Sequence, residues 1–145
     1  MTELIDTSYL ESLIGYNARR ATLSIISSFI EKMTEFNIRP VDFSILSLIA
    51  HNPNITSRQL CRTLNIQPSN MVIFIKDFEA KGLIQRKAHP TDGRAVGVIL
   101  SVKGKALMKK AEKMATQSEM NFVSKLTADE VKVLITLLKK VYKTI

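Results

Sequence analysis

TSRQLCRTLNIQPSNMVIFIKDFEAK, residues 56 to 81, is the stretch that decides the fold. Thr56 is a hydroxyl N-cap, and Leu60, Cys61 and Leu64 behind it form one short apolar helix face. Asn65-Ile66-Gln67 breaks that pattern. Pro68 suits the first position of a second helix, where its missing N–H costs nothing. Met71, Val72, Ile75 and Phe78 then share a helical stripe, closed by Lys81 in a basic last turn and Gly82 as a C′ glycine. Two short helices joined by about four residues spell a helix-turn-helix. The same stretch would also serve as two ordinary helices of an all-α core, so the residues beyond it must separate the readings.

Leu83 to Lys87 and Ala95 to Ser101 (AVGVILS) both have strand composition, and Ile55 offers a third, very short strand beside them. His89-Pro90-Thr91-Asp92-Gly93-Arg94 lies between the two longer strands as a turn-rich tip bearing an arginine. Helix, turn, helix and a basic-tipped hairpin predict a mainly α chain with a small β-wing, a winged helix-turn-helix over about residues 41–101. At these residues the chain resembles the MarR family of bacterial transcriptional regulators. The family's wing signature, D-x-R followed by five residues and L-[ST]-x-x-G, is met by Asp92-Gly93-Arg94 and by Leu100-Ser101-Val102-Lys103-Gly104. The ending EAKGLI, Glu79 to Ile84, and the segment from Pro40 to Leu46 that precedes the paired helices also resemble the family.

Working outward, residues 1–7 carry no periodic signal, and Thr7 or Ser8 caps one long helix running to about Asn37. Leu10, Leu13, Ile14, Ala18, Ala21, Ile25, Phe29, Ile30 and Met33 recur in it at helical spacing, a stripe broad enough to pack on more than one side. Pro40 starts the next helix, with Phe43, Leu46, Ile49 and Ala50 inward. After the wing, a helix from Lys103 to about Lys125 turns Leu107, Ala111, Met114, Ala115 and Phe122 to one face. Thr127 and Glu130 match a capping box, opening a last helix whose Val131, Leu134, Ile135, Leu138 and Val141 form an apolar stripe. The resemblance implies that the first and last helices, about 8–37 and 103–145, pair two subunits around a winged core, with 1–145 as one domain.

Composition limits the partners. The 145 residues carry a net charge of +8, and the excess is not evenly spread. Residues 1–75 hold six basic and six acidic side chains, whereas 76–145 hold fifteen and seven. A polyanion partner fits that asymmetry, as does a merely solvated basic face. One cysteine rules out a disulfide framework within the chain and suits a reducing cytoplasm. No apolar run approaches the ~18 residues of a membrane span, and no secretory leader pattern opens the sequence.

For DNA, the first turns of the second helix bring Ser69 and Asn70 to base edges, where asparagine pairs with adenine. Ile73 and Phe74 are candidates for a thymine methyl, Phe74 also for the core, and Lys76 for a phosphate. Arg94 is suited to a narrow minor groove, with Arg86, Lys87 and His89 beside it as backbone contacts. By resemblance, Asp92 orients the wing arginine through a salt bridge; the family usually has a basic residue where Gly93 stands. The resemblance further implies an inverted-repeat operator and a homodimer released by a small ligand. Tyr16, Arg20 and Phe43 are candidates to line the ligand site, Arg20 to pair a carboxylate. Cys61 invites a redox reading, but its place between Leu60 and Leu64 suits a small core residue. His51, His89 and Cys61 fall in no catalytic or metal motif, so no enzyme, metal or cofactor is expected. The competing class is a winged-helix module that binds protein rather than DNA.

Overall fold

The computed structural model describes residues 4–122 and 125–143, with the side chains of 120–122 left aside. Its elements are α1 (Ser8–Glu11), α2 (Ile14–Met33), a 3₁₀ turn (Thr34–Phe36), α3 (Pro40–His51), β1 (Ile55–Thr56), α4 (Ser57–Leu64) and α5 (Pro68–Ala80). There follow β2 (Ile84–Ala88), β3 (Val96–Leu100), α6 (Val102–Phe122) and α7 (Ala128–Tyr142). They fall into two compact units, residues 30–115 and residues 1–29 with 116–145.

The unit 30–115 is the winged helix-turn-helix. Thr56 caps α4 by accepting from the Gln59 N–H, while the Gln59 side chain accepts from the Thr56 N–H. Asn65 closes α4 in the left-handed region, φ 52°, a conformation asparagine tolerates better than most residues. Gln67 is extended, as a residue before proline must be, and Pro68 opens α5. At the far end Gly82 takes φ 69°; its N–H bonds to the Glu79 carbonyl and the Leu83 N–H to that of Phe78. That is a Schellman closure, and it aims the chain into the wing.

The sheet has the order β1-β3-β2, all antiparallel, with Ile55 opposite Val98 and Ile84 opposite Leu100. Gly97 is required where β3 meets β1: a Cβ there would lie 2.7 Å from the Asn54 carbonyl oxygen. Ser101 joins wing to helix, donating to the Gly82 carbonyl and accepting from the Gly104 N–H. The core gathers Ile45, Leu46, Ile49, Leu60, Met71, Phe78, Leu83 and Met108.

Several expectations are corrected here. Val72 is 46% exposed, because a stripe of Met71, Val72, Ile75 and Phe78 is wider than the face α5 buries. Ile45 rather than Phe43 is buried on α3; on α6 Ala111 is buried as expected, but with Met108 rather than Leu107. Cys61 is half-buried. Phe122 lies outside the described side chains.

Asp42 is buried although nothing in its spacing announces it. Its carboxylate accepts from the Arg39 backbone N–H at 2.8 Å and from the guanidinium at 2.9 Å through both oxygens. Burial alone would raise the Asp42 carboxyl; the hydrogen bonds and charge of Arg39, aided by Lys81, outweigh it and hold the group below its ordinary value. Arg39→Ala leaves this carboxylate with one backbone donor and is expected to destabilise the chain by about 2 kcal/mol near neutral pH. Because the folded value is depressed, that contribution is complete above an ordinary carboxylate pKa near ~4 and disappears as pH falls through the lowered one. The gap between urea titrations of the two proteins should therefore narrow in acid; a gap of unchanged size there removes the ion pair from the account.

In the other unit the predicted single N-terminal helix is broken. Ser12 donates its hydroxyl to the Tyr9 carbonyl, and the Asn17 amide donates to the carbonyls of Glu11 and Leu13. Side chains that take backbone carbonyls in this way offer the chain an alternative to the helical ladder. Thr127 and Glu130 do form the predicted capping box of α7. Within this unit Ser28 and the buried Ser118 share a hydrogen bond of 3.2 Å. Neither α1 nor α7 has a buried residue; Leu134, Ile135, Leu138 and Val141 of α7 are open to water, as is Ile14 at the start of α2, 79% exposed.

Candidate nucleic-acid interface

The outward face of α5 carries Ser69, Asn70, Ile73 and Lys76, all exposed and spaced at i, i+1, i+4 and i+7. They share one side because Met71, Ile75 and Phe78 occupy the other. Lys76 also lines a groove of about 240 Å³ with Val72, Ser57, Arg86, Val96 and Val98. The wing base therefore lies alongside the helix, which no spacing rule could have announced.

Arg86 is not a free cation. Its guanidinium bonds both oxygens of Glu79, at 2.7 and 3.1 Å, which ties β2 to the end of α5 and raises the arginine pKa. Lys87 is exposed one residue on, opposite Gly97. His89 braces the tip from within: its Nδ1 accepts from the Asp92 N–H at 3.2 Å. The Asp92 carboxylate accepts from the backbone N–H of Arg94 at 3.1 Å. This corrects the expected salt bridge; among the described residues no ion pair joins Asp92 to the Arg94 guanidinium, since the short aspartate closes the turn locally instead. Arg94 is exposed at the tip, and Gly93 has open space around it.

A second feature flanks the same helix. A cavity of about 630 Å³ is lined by Ile30, Ile38, Arg39, Ile73, Phe74 and Lys81, among others. The Arg39 guanidinium lies over the Phe74 ring, 5.5 Å from its centroid, and Phe74 stacks on Phe78. Arg39 thus contacts α3 through Asp42 and α5 through Phe74, a role its sequence position before Pro40 concealed. Tyr16 and Arg20 lie on α2 in one unit and Phe43 on α3 in the other. Among the described residues no cluster of His, Cys, Asp and Glu is arranged to hold a metal, and no helix is long and apolar enough to cross a membrane.

A paired-helix motif with a three-stranded wing at its end defines a winged helix-turn-helix protein. Residues 36–95 match the model of the MarR family. The chain is similar to that family's transcriptional regulators over nearly its whole length. It is 27% identical over 144 residues to a Thauera aromatica protein assigned as a transcriptional regulator of the hcr operon, covering 99% of this chain and 86% of that one. Among solved structures, the transcriptional repressor CouR bound to a 23-mer DNA duplex superposes with a TM-score of 0.89, at 28% identity over 97% of this chain and all of that one. CouR bound to p-coumaroyl-CoA superposes with a TM-score of 0.83, at 26% identity over 98% of this chain and all of that one.

Proposed function

We propose that this chain is a cytoplasmic, homodimeric, DNA-binding transcriptional repressor that a small organic ligand releases from its operator. The observation that carries the reading is the shared surface of Ser69, Asn70, Ile73 and Lys76 on α5 with the wing that ends at Arg94. In this reading the winged core, about residues 41–101, holds DNA, and the helices of 8–37 and 103–145 pair two subunits. The open apolar side chains of α2 and α7 support such pairing, since a lone subunit would leave them wet. The description of CouR as a repressor, bound in one structure to DNA and in another to p-coumaroyl-CoA, supports both the operator and the ligand. The protein acts by binding, not by turnover.

Asn70 is assigned to a base edge, Arg94 to the minor groove, and Lys76, Lys87 and Arg86 to phosphates, Arg86 from within its ion pair. The cavity under Phe74 is where a ligand would act, because its wall is the recognition helix itself. The test is titration of an inverted-repeat duplex, its half-sites about 10 base pairs apart, against a scrambled one at several salt concentrations. Affinity should fall steeply with salt. Lys76→Ala should weaken both duplexes alike and lower the salt slope by about one per subunit, whereas Asn70→Ala should relax preference at one base pair per half-site. Salt-insensitive binding, or equal affinity for both duplexes, would favour a protein-binding module instead.

A further inference from the structure

Within the winged unit, away from the recognition helix, lies a cavity of about 500 Å³ walled by the end of α3, strand β3 and the first turns of α6. Its floor is apolar: Ile49 and Met108 are 1% exposed and Leu100 5%, with Ile99 beside them. Its rim is basic. Lys87 reaches it from β2, and Lys105 and Lys109 are one helical turn apart on α6. Among the described residues none of these three ammonium groups has a carboxylate partner. The one acid on the wall, Glu112, is already engaged by His51 Nε2 at 2.8 Å and by the Ser47 hydroxyl at 2.7 Å.

Like charges at i and i+4 on a helix repel, and Glu112, three residues past Lys109, is already hydrogen-bonded by Ser47 and His51. An anion would relieve that repulsion. A bare inorganic anion would leave the apolar floor wet, and a neutral apolar molecule would leave the lysines unpaired. The volume lies within the range of small-molecule sites, roughly 300–1,000 Å³. We infer that this cavity is a binding site for a compact amphipathic carboxylate, its ring or short chain on Ile49, Ile99 and Met108 and its carboxylate between Lys105 and Lys109. The site is separate from the cavity under Phe74 and does not depend on the repressor reading.

The probe is 2-naphthoate, with 2-naphthamide as its neutral counterpart, added to the full chain and followed by methyl NMR and calorimetry. Saturable shifts of the Ile99 and Met108 methyls are expected. Replacing the carboxylate by the amide, or the lysines in the double variant Lys105→Met/Lys109→Met, should weaken binding at least about tenfold, the scale of one charged hydrogen bond. Lys81→Met, in the other cavity, should leave the Kd unchanged. The inference is overturned if the Ile99 and Met108 methyls do not shift. It is equally overturned if acid and amide bind alike, if the double variant keeps the parent Kd, or if Lys81→Met is the change that abolishes binding. The acid-against-amide comparison needs no variant and so does not depend on one folding.

Discussion

Gly104→Ala is expected to lower unfolding free energy by more than about 3 kcal/mol, the largest stability effect in the chain from adding a single methyl. A Cβ at this position would run into the Leu83 carbonyl oxygen and stand 3.0 Å from its carbon. Both are backbone atoms, so no side chain can swing aside. That carbonyl also accepts the Ser101 N–H, and Ser101 in turn bonds Gly82 and Gly104. Pushing α6 away would therefore break the joint at which helix α5, the wing and α6 meet. Gly15→Ala supplies the contrast: a methyl there would meet nothing within 4 Å, and replacing glycine in a helix gains up to about 1 kcal/mol. Equilibrium urea unfolding of both variants decides the matter, and a Gly104→Ala midpoint close to that of the parent would mean the joint is slack.

Arg94→Ala is expected to cost about 1–3 kcal/mol of DNA affinity per subunit with unfolding unchanged. In a dimer both wings lose the contact, so the effect on one operator is about twice that per subunit. The side chain is exposed, and the bond that fixes the residue runs from its backbone N–H to Asp92, so trimming the side chain costs the fold little. The converse variant is Gly93→Lys. Space around Gly93 is open and its φ is not positive, so a lysine is accommodated without strain and should tighten binding if the wing lies on DNA. Fluorescence anisotropy on one labelled operator tests both, and parent-like affinity in Arg94→Ala would take the wing off the DNA.

Much of the fold is legible because its signals are local. Thr56, Pro68, Gly82 and Thr127 each fix a helix end through their own hydroxyl, ring or missing Cβ, and each stands where such a residue belongs. The two wing strands start and stop within a residue of their composition limits. What escapes reading depends on partners distant in sequence or on competing bonds. The break at Ser12 comes from side chains that capture carbonyls. Asp42 looks like a solvated first-turn acid until Arg39 folds over it, and Arg86 looks like a free phosphate ligand until Glu79 claims it. On α6 Met108 is buried in place of Leu107, beside Ile99 and Leu100 of β3, neighbours that its own spacing does not announce. The motif Leu100-Ser101-x-x-Gly104, recognised as a pattern, acquires its physical cause only in the joint: a hydroxyl that bridges two backbones and a glycine that lets them approach.

The Arg86–Glu79 pair has a consequence for how the protein would meet its operator. With β2 fastened to the end of α5, the helix and the wing form one bidentate ligand rather than two ligands on a tether. Once the helix has seated, the wing arginine's encounter with the adjacent groove is unimolecular. Its effective concentration is then set by a short, stiff span, and little chain entropy is left to lose. A tip with one arginine can then do the work that a looser arm would need several charges to perform.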